Sequence, residues 1–180
     1  MTVSPKGIFR SCLTIAFPLL FSGLALLLLA CPTSGLAAKV DLAWDPPSDT
    51  SNVAGYNLYY GKSSGNYSVS GSPVDVGNTT QHTLTGLNIG ETYFIATKSY
   101  ADDGTESDSF SNEVEYQVSD TDSDGLSDYE EGHFYFTSSS DADTDSDGID
   151  DGTELEYWNN QSGYTWDGDI DGDGRVNLLD

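Results

Sequence analysis

Three times in its last third the chain carries the pattern D-x-D-x-D-G: DTDSDG at 120–125, DTDSDG again at 143–148, and DIDGDG at 169–174. No other feature restricts the fold so tightly. Carboxylates brought within a few ångströms repel by on the order of 1 to 4 kcal/mol per close pair at surface-like dielectric. Such a segment either stays open or closes around positive charge. The spacing points to the second outcome. In a twelve-residue cation loop, side-chain oxygens come from positions 1, 3, 5 and 12 and a backbone carbonyl from position 7. Position 9 often acts through water, and position 6 is glycine because the chain turns sharply there. DTDSDGLSDYEE supplies Asp120, Asp122, Asp124, the Leu126 carbonyl, Asp128 and Glu131. DTDSDGIDDGTE supplies Asp143, Asp145, Asp147, the Ile149 carbonyl, Asp151 and Glu154. DIDGDGRVNLLD supplies Asp169, Asp171, Asp173, the Arg175 carbonyl, Asn177 and Asp180.

The loops begin 23 and then 26 residues apart, and each has oxygen donors at positions 9 and 12. That recurrence predicts two to three bound Ca2+ ions, since many flexible oxygen ligands suit calcium better than the strict octahedron of magnesium. Softer metals are disfavoured: both cysteines, Cys12 and Cys31, lie in the N-terminal apolar run, and His82 and His133 stand alone. Of the formal charge of -24, 18 negative charges fall in residues 118–180, where Arg175 is the only cation. Nucleic acid needs clustered Lys and Arg and is excluded as a partner. The acidic third is also poor in apolar residues. Its aromatics and Leu155, Val176, Leu178 and Leu179 read as a small core between the loops, so cation binding would double as folding free energy.

The first 38 residues are free of acid. Lys6 and Arg10 precede LTIAFPLLFSGLALLLLAC, and small residues follow. This describes an export leader. Cleavage within SGLAAKV by a leader peptidase, cleavage and acylation at Cys31 in a lipobox-like LLAC, and an uncleaved membrane anchor all remain open. Each places residues 39–180 outside the cytoplasm, and a membrane is met only through the leader or a lipid on Cys31.

From Val40 the pattern has period two. Val40, Leu42 and Trp44 alternate with Asp41 and Ala43; Tyr56, Leu58 and Tyr60 with Asn57 and Tyr59; Tyr93, Ile95, Thr97 and Ser99 with Phe94, Ala96, Lys98 and Tyr100. Turn-rich stretches separate these runs, which predicts an all-β sandwich over 39–117. AWDPPSDTSNVAGYNLYYGKSSGNY, LTGLNIGETYFIA and FSNEV resemble a fibronectin type III domain. The resemblance implies an immunoglobulin-like sandwich of seven strands, Trp44 and Leu87 in the core, and Tyr93 as a tyrosine corner tied to upstream backbone. Tyr59 and Phe94 are left as candidates for an exposed binding face.

Behind the sandwich, EVEYQV reads as a strand and SDYEEG allows one short helical turn, so the helix-loop-helix frame of an EF-hand is missing around EF-hand-like loops. The loops of 118–160 resemble bacterial thrombospondin type 3 repeats, with FYFTSSSDA in place of that family's usual linker. The segment 161–180 is similar to the loop that opens a dockerin domain. The sequence contains no nucleophile–base pair, phosphate loop or zinc-helix motif. The expectation is a secreted or cell-surface, non-enzymatic, calcium-binding spacer or binding module of a bacterial protein, with a protein or polysaccharide partner. A second expectation is an accessory part of an extracellular polysaccharide-degrading enzyme or its scaffold.

Overall fold

The computed structural model describes residues 36–163, 165–170, 172 and 176–179. Residues 1–35 of the leader, with both cysteines, lie outside the described residues, as do Asp171, Asp173, Arg175 and Asp180 of the third loop. Among the described residues, no helix is long and apolar enough to cross a membrane.

The alternating runs become strands. β1 spans Ala38–Ala43, β2 Gly55–Gly61, β3 Val74–Gly77, β4 Gln81–Leu87, β5 Thr92–Tyr100 and β6 Val114–Gln117. All pairings are antiparallel, in two sheets ordered β1-β4 and β3-β2-β5-β6. The β2–β5 register runs unbroken from Gly55↔Tyr100 to Gly61↔Phe94. Period two then sends Tyr56, Leu58, Tyr93 and Ile95 inward, where they are 1–4% exposed. Val40, Leu84, Leu87 and Val118 close this core. The Tyr93 hydroxyl accepts from the Asn88 N–H at 3.1 Å, the tie the tyrosine corner requires.

Three expectations change. The described residues form six strands, not seven, and the short helical turn Asp128–Glu130 packs against β1. Trp44 sits at the rim of the core, edge-on to Tyr56 at 5.8 Å, with its buried Nε1 unpartnered. Tyr59 is not a free surface ring: its hydroxyl donates to Glu106 at 2.6 Å and its face meets Tyr67 and Phe110.

The acidic third begins without a break. Val118 is fully buried in the sandwich core and exchanges backbone bonds with Gly90 and Glu91. α1, Asp128–Glu130, is capped by Ser127 and runs into a π turn, Glu131–Tyr135, across Gly132. α2, Asp151–Asn159, supplies the two turns expected of TELEYWNN. A second core gathers Leu126, Tyr135, Leu155 and Leu178, with Leu36, Phe134, Trp166 and Val176 against it. Leu126 enters it through its side chain, a role beyond its carbonyl. Phe136 and Tyr157, expected in this core, are 71% and 50% exposed.

Candidate metal centre

The loops share one backbone design. Position 4 is left-handed in each, at Ser123 (φ 68°), Ser146 (φ 63°) and Gly172 (φ 82°). Position 6 is Gly125 (φ 97°) and Gly148 (φ 98°) in the first two, a conformation costly for any residue with a Cβ. These bends turn successive N–H groups onto the first carboxylate. Ser123 and Gly125 donate to Asp120 at 2.7 and 3.2 Å. Asp147 and Gly148 donate to Asp143 at 3.1 and 2.9 Å, and Gly172 to Asp169 at 2.6 Å.

Position 9 has a structural job besides its place in the expected ligand set. In all three loops its side chain accepts from the position 2 N–H: Thr121 to Asp128 at 2.8 Å, Thr144 to Asp151 at 3.0 Å, and Ile170 to Asn177 at 3.0 Å. Its own N–H closes onto the carbonyl just before the loop, at Ser119, Ala142 and Gly168. These residues are latches on the loop backbone. For Asp128, burial works against ionisation, but hydrogen bonds from Ser119 and Thr121 outweigh it and hold the carboxyl below its ordinary range.

With the turns latched, the remaining carboxylates face one another. The oxygens of Asp120, Asp122 and Asp124 lie within 4.8 Å, as do those of Asp143, Asp145 and Asp147, and those of Asp124, Glu131 and Asp151. Both oxygens of Asp122 and one oxygen each of Glu131 and Glu154 are buried without a hydrogen-bond partner. Glu131 is 0% and Glu154 7% exposed. Burial first, then the charges of Asp122 and Asp124, pushes Glu131 up to about 8. Burial, then Asp147 and Asp145, pushes Glu154 up to about 8. Burial and the neighbouring Asp122 and Asp120 lift Asp124 to about 6. Such orphaned, crowded oxygens are costly unless a proton or a cation meets them.

The donors are all hard oxygens, a set that fits a divalent cation of the calcium type. In the first loop Asp120, Asp122, Asp124, the Leu126 carbonyl and Glu131 could hold it. In the second, Asp143, Asp145, Asp147, the Ile149 carbonyl and Glu154 could do so. Of the third loop's acidic positions, only Asp169 is among the described residues. Sequence reasoning missed the approach of Asp151 to the first loop. Gly152, at a position where the other loops carry Tyr129 and Leu178, was the available signal.

Residues 33–117 match the family described as the fibronectin type III domain. No curated protein matches the chain. The match covers all six strands of the two antiparallel sheets, with the short helical elements lying beyond it. Residues 33–117 therefore form a fibronectin type III domain, a sandwich of two antiparallel sheets, and a short helical region follows it.

Proposed function

We propose that the chain is an exported calcium-binding module in which residues 118–180 fold around calcium behind the fibronectin type III domain, and that its role is to space or present a binding surface outside the cell. The observation that carries this reading is the set of buried, unpartnered oxygens on Asp122, Glu131 and Glu154, aimed into loops with matching bends. Bound calcium would neutralise them and couple ion binding to folding. The acid-free leader with its two early cations supports export to a compartment rich in calcium. The thrombospondin type 3-like spacing of the first two loops supports the spacer role and a bacterial source.

Calorimetric titration of the chain from Ser34 onward tests the reading. Two to three equivalents of calcium should bind, and Asp122→Ala and Asp145→Ala should each remove about one, as loss of a ligand does. No calcium heat, or unchanged stoichiometry in both variants, would reject it.

A further inference from the structure

The carboxylate cluster of Asp124, Glu131 and Asp151 draws on two loops at once. Asp124 and Glu131 are positions 5 and 12 of the first loop, and Asp151 is position 9 of the second. Their oxygens lie within 4.8 Å of one another. Glu131 and Asp151 are both 0% exposed, and Glu131 Oε2 has no hydrogen-bond partner. We infer that the second loop completes the first: Asp151 is a cross-loop ligand to the cation held by Asp124 and Glu131. This rests on the calcium reading above and adds an order to it, because the first loop reaches its full ligand set only when the second is docked.

The docking geometry supports the assignment. Asp151 accepts from the Thr144 N–H at 3.0 Å and the Thr144 hydroxyl at 2.6 Å. Those bonds fix the carboxylate, and a carboxylate's two oxygens offer about four lone-pair sites, so capacity remains for a cation. Next door, the Gly152 N–H donates to Asp124 Oδ2 at 3.1 Å, from the first turn of α2. A Cβ at Gly152 would collide with the Asp124 carbonyl oxygen. Glycine there lets α2 bring Asp151 against the first loop. Calcium accepts 6 to 8 oxygens, so a further carboxylate oxygen beyond those of Asp120, Asp122, Asp124, Leu126 and Glu131 fits its demand. The two loops then share the ion's charge, and neither behaves as an independent site.

The test isolates the first loop. In the chain from Ser34 onward, which forms one compact unit, Asp145→Asn, Glu154→Gln and Asp169→Asn together silence the other two loops with near-isosteric changes. Calorimetry with calcium chloride then reads the first loop alone. Adding Asp151→Asn, which keeps an oxygen for the Thr144 N–H, is expected to weaken calcium binding about tenfold or more. Gly152→Ala, which keeps every carboxylate, should weaken it as well by pushing the loops apart. Thr144→Val, which loosens the second loop's latch and leaves the Asp151 carboxylate in place, should leave the affinity nearly unchanged. Unchanged affinity in both Asp151→Asn and Gly152→Ala would overturn the cross-loop ligand while leaving calcium binding intact. Equal losses in Thr144→Val and Asp151→Asn would also overturn it, as a general loosening of the second loop. No calcium heat in the unaltered chain would overturn both readings. Circular dichroism in excess calcium checks that each variant folds. If Asp151→Asn fails that check, Gly152→Ala decides.

Discussion

The two halves of the described chain bury different things. The sandwich hides Leu58, Leu84, Leu87, Tyr93 and Ile95 between two sheets whose backbone groups satisfy one another. The acidic third hides Leu126, Leu155 and Leu178, but among its fully buried side chains are also Glu131, Asp151 and Ser127. Apolar burial contributes on the order of 25 cal/mol per Å² whatever the ionic conditions. Buried carboxylates oppose folding until something neutralises them. The first half can therefore rest on its own contacts, while on the proposed reading the stability of the second is set by protons and cations in the medium.

Removing calcium should break this comparison open most widely. On the proposed reading, EDTA abolishes the cooperative packing of the acidic third and leaves the sandwich melt nearly where it was. Near-ultraviolet circular dichroism from Trp158 and Trp166 reports the first; Trp158 donates to the Asn177 carbonyl at 3.1 Å and Trp166 stands edge-on to Tyr135. Hydrogen exchange on β2 and β5 reports the second. Coincident loss of both signals would mean that the halves fold as one. Next in size is Leu58→Ala, which removes a side chain 1% exposed and should cost about 2 to 5 kcal/mol with or without calcium. A calcium-dependent cost there would erase the distinction.

Glu131→Gln should have opposite signs in the two conditions. Without calcium it spares the fold the cost of keeping that carboxyl protonated beside Asp122 and Asp124 and so stabilises the acidic third near neutral pH. With calcium it removes a ligand and destabilises it. The pH dependence follows from the same group. Its folded value, about 8, lies above the ordinary 4.5, so the folded state holds a proton that the unfolded state releases. Its contribution is fully present below about 4.5 and is lost as pH rises toward 8; Glu154 behaves alike. In EDTA, the melt of the acidic third should fall across that window. Near pH 7, calcium binding should release protons, seen as heats that vary with the ionisation enthalpy of the buffer. Heats independent of buffer would count against either carboxyl being protonated in the calcium-free fold.

How much of this was legible in the sequence follows the same division. Strand alternation depends on neighbours two apart, so Tyr56, Leu58, Tyr93 and Ile95 could be assigned inward from their spacing alone, and the Tyr93 tie followed from the fibronectin resemblance. The loop turns were legible for the same local reason: glycine at position 6 and acids at 1, 3 and 5 act within a few residues. What spacing could not show was the use of a residue at a distance. Position 9 was read as a ligand, while its bond to position 2 showed only in the structure, and the reach of Asp151 to another loop was signalled only by the glycine beside it, Gly152. Leu126 was read for its carbonyl, yet its side chain anchors the second core. The rim position of Trp44 and the six strands among the described residues rest on tertiary packing, which no periodicity encodes.

The smallest test sits on the seam between the halves. Lys39, on β1, donates to the Tyr135 hydroxyl at 3.1 Å and lies 4.1 Å from the centre of the Phe134 ring. It is one of the sandwich's three lysines, and it reaches onto a strongly acidic neighbour. Lys39→Met keeps most of the aliphatic stem and removes the hydrogen bond and the cation–π contact, together worth about 1 to 2 kcal/mol at a half-buried site. If the halves are stabilised separately, that loss should appear only in the calcium-dependent transition, because the β1–β4 ladder that carries Lys39 is held by backbone bonds the substitution leaves alone. A matching shift in the exchange of β2 and β5 would show that the seam carries stability from one half to the other.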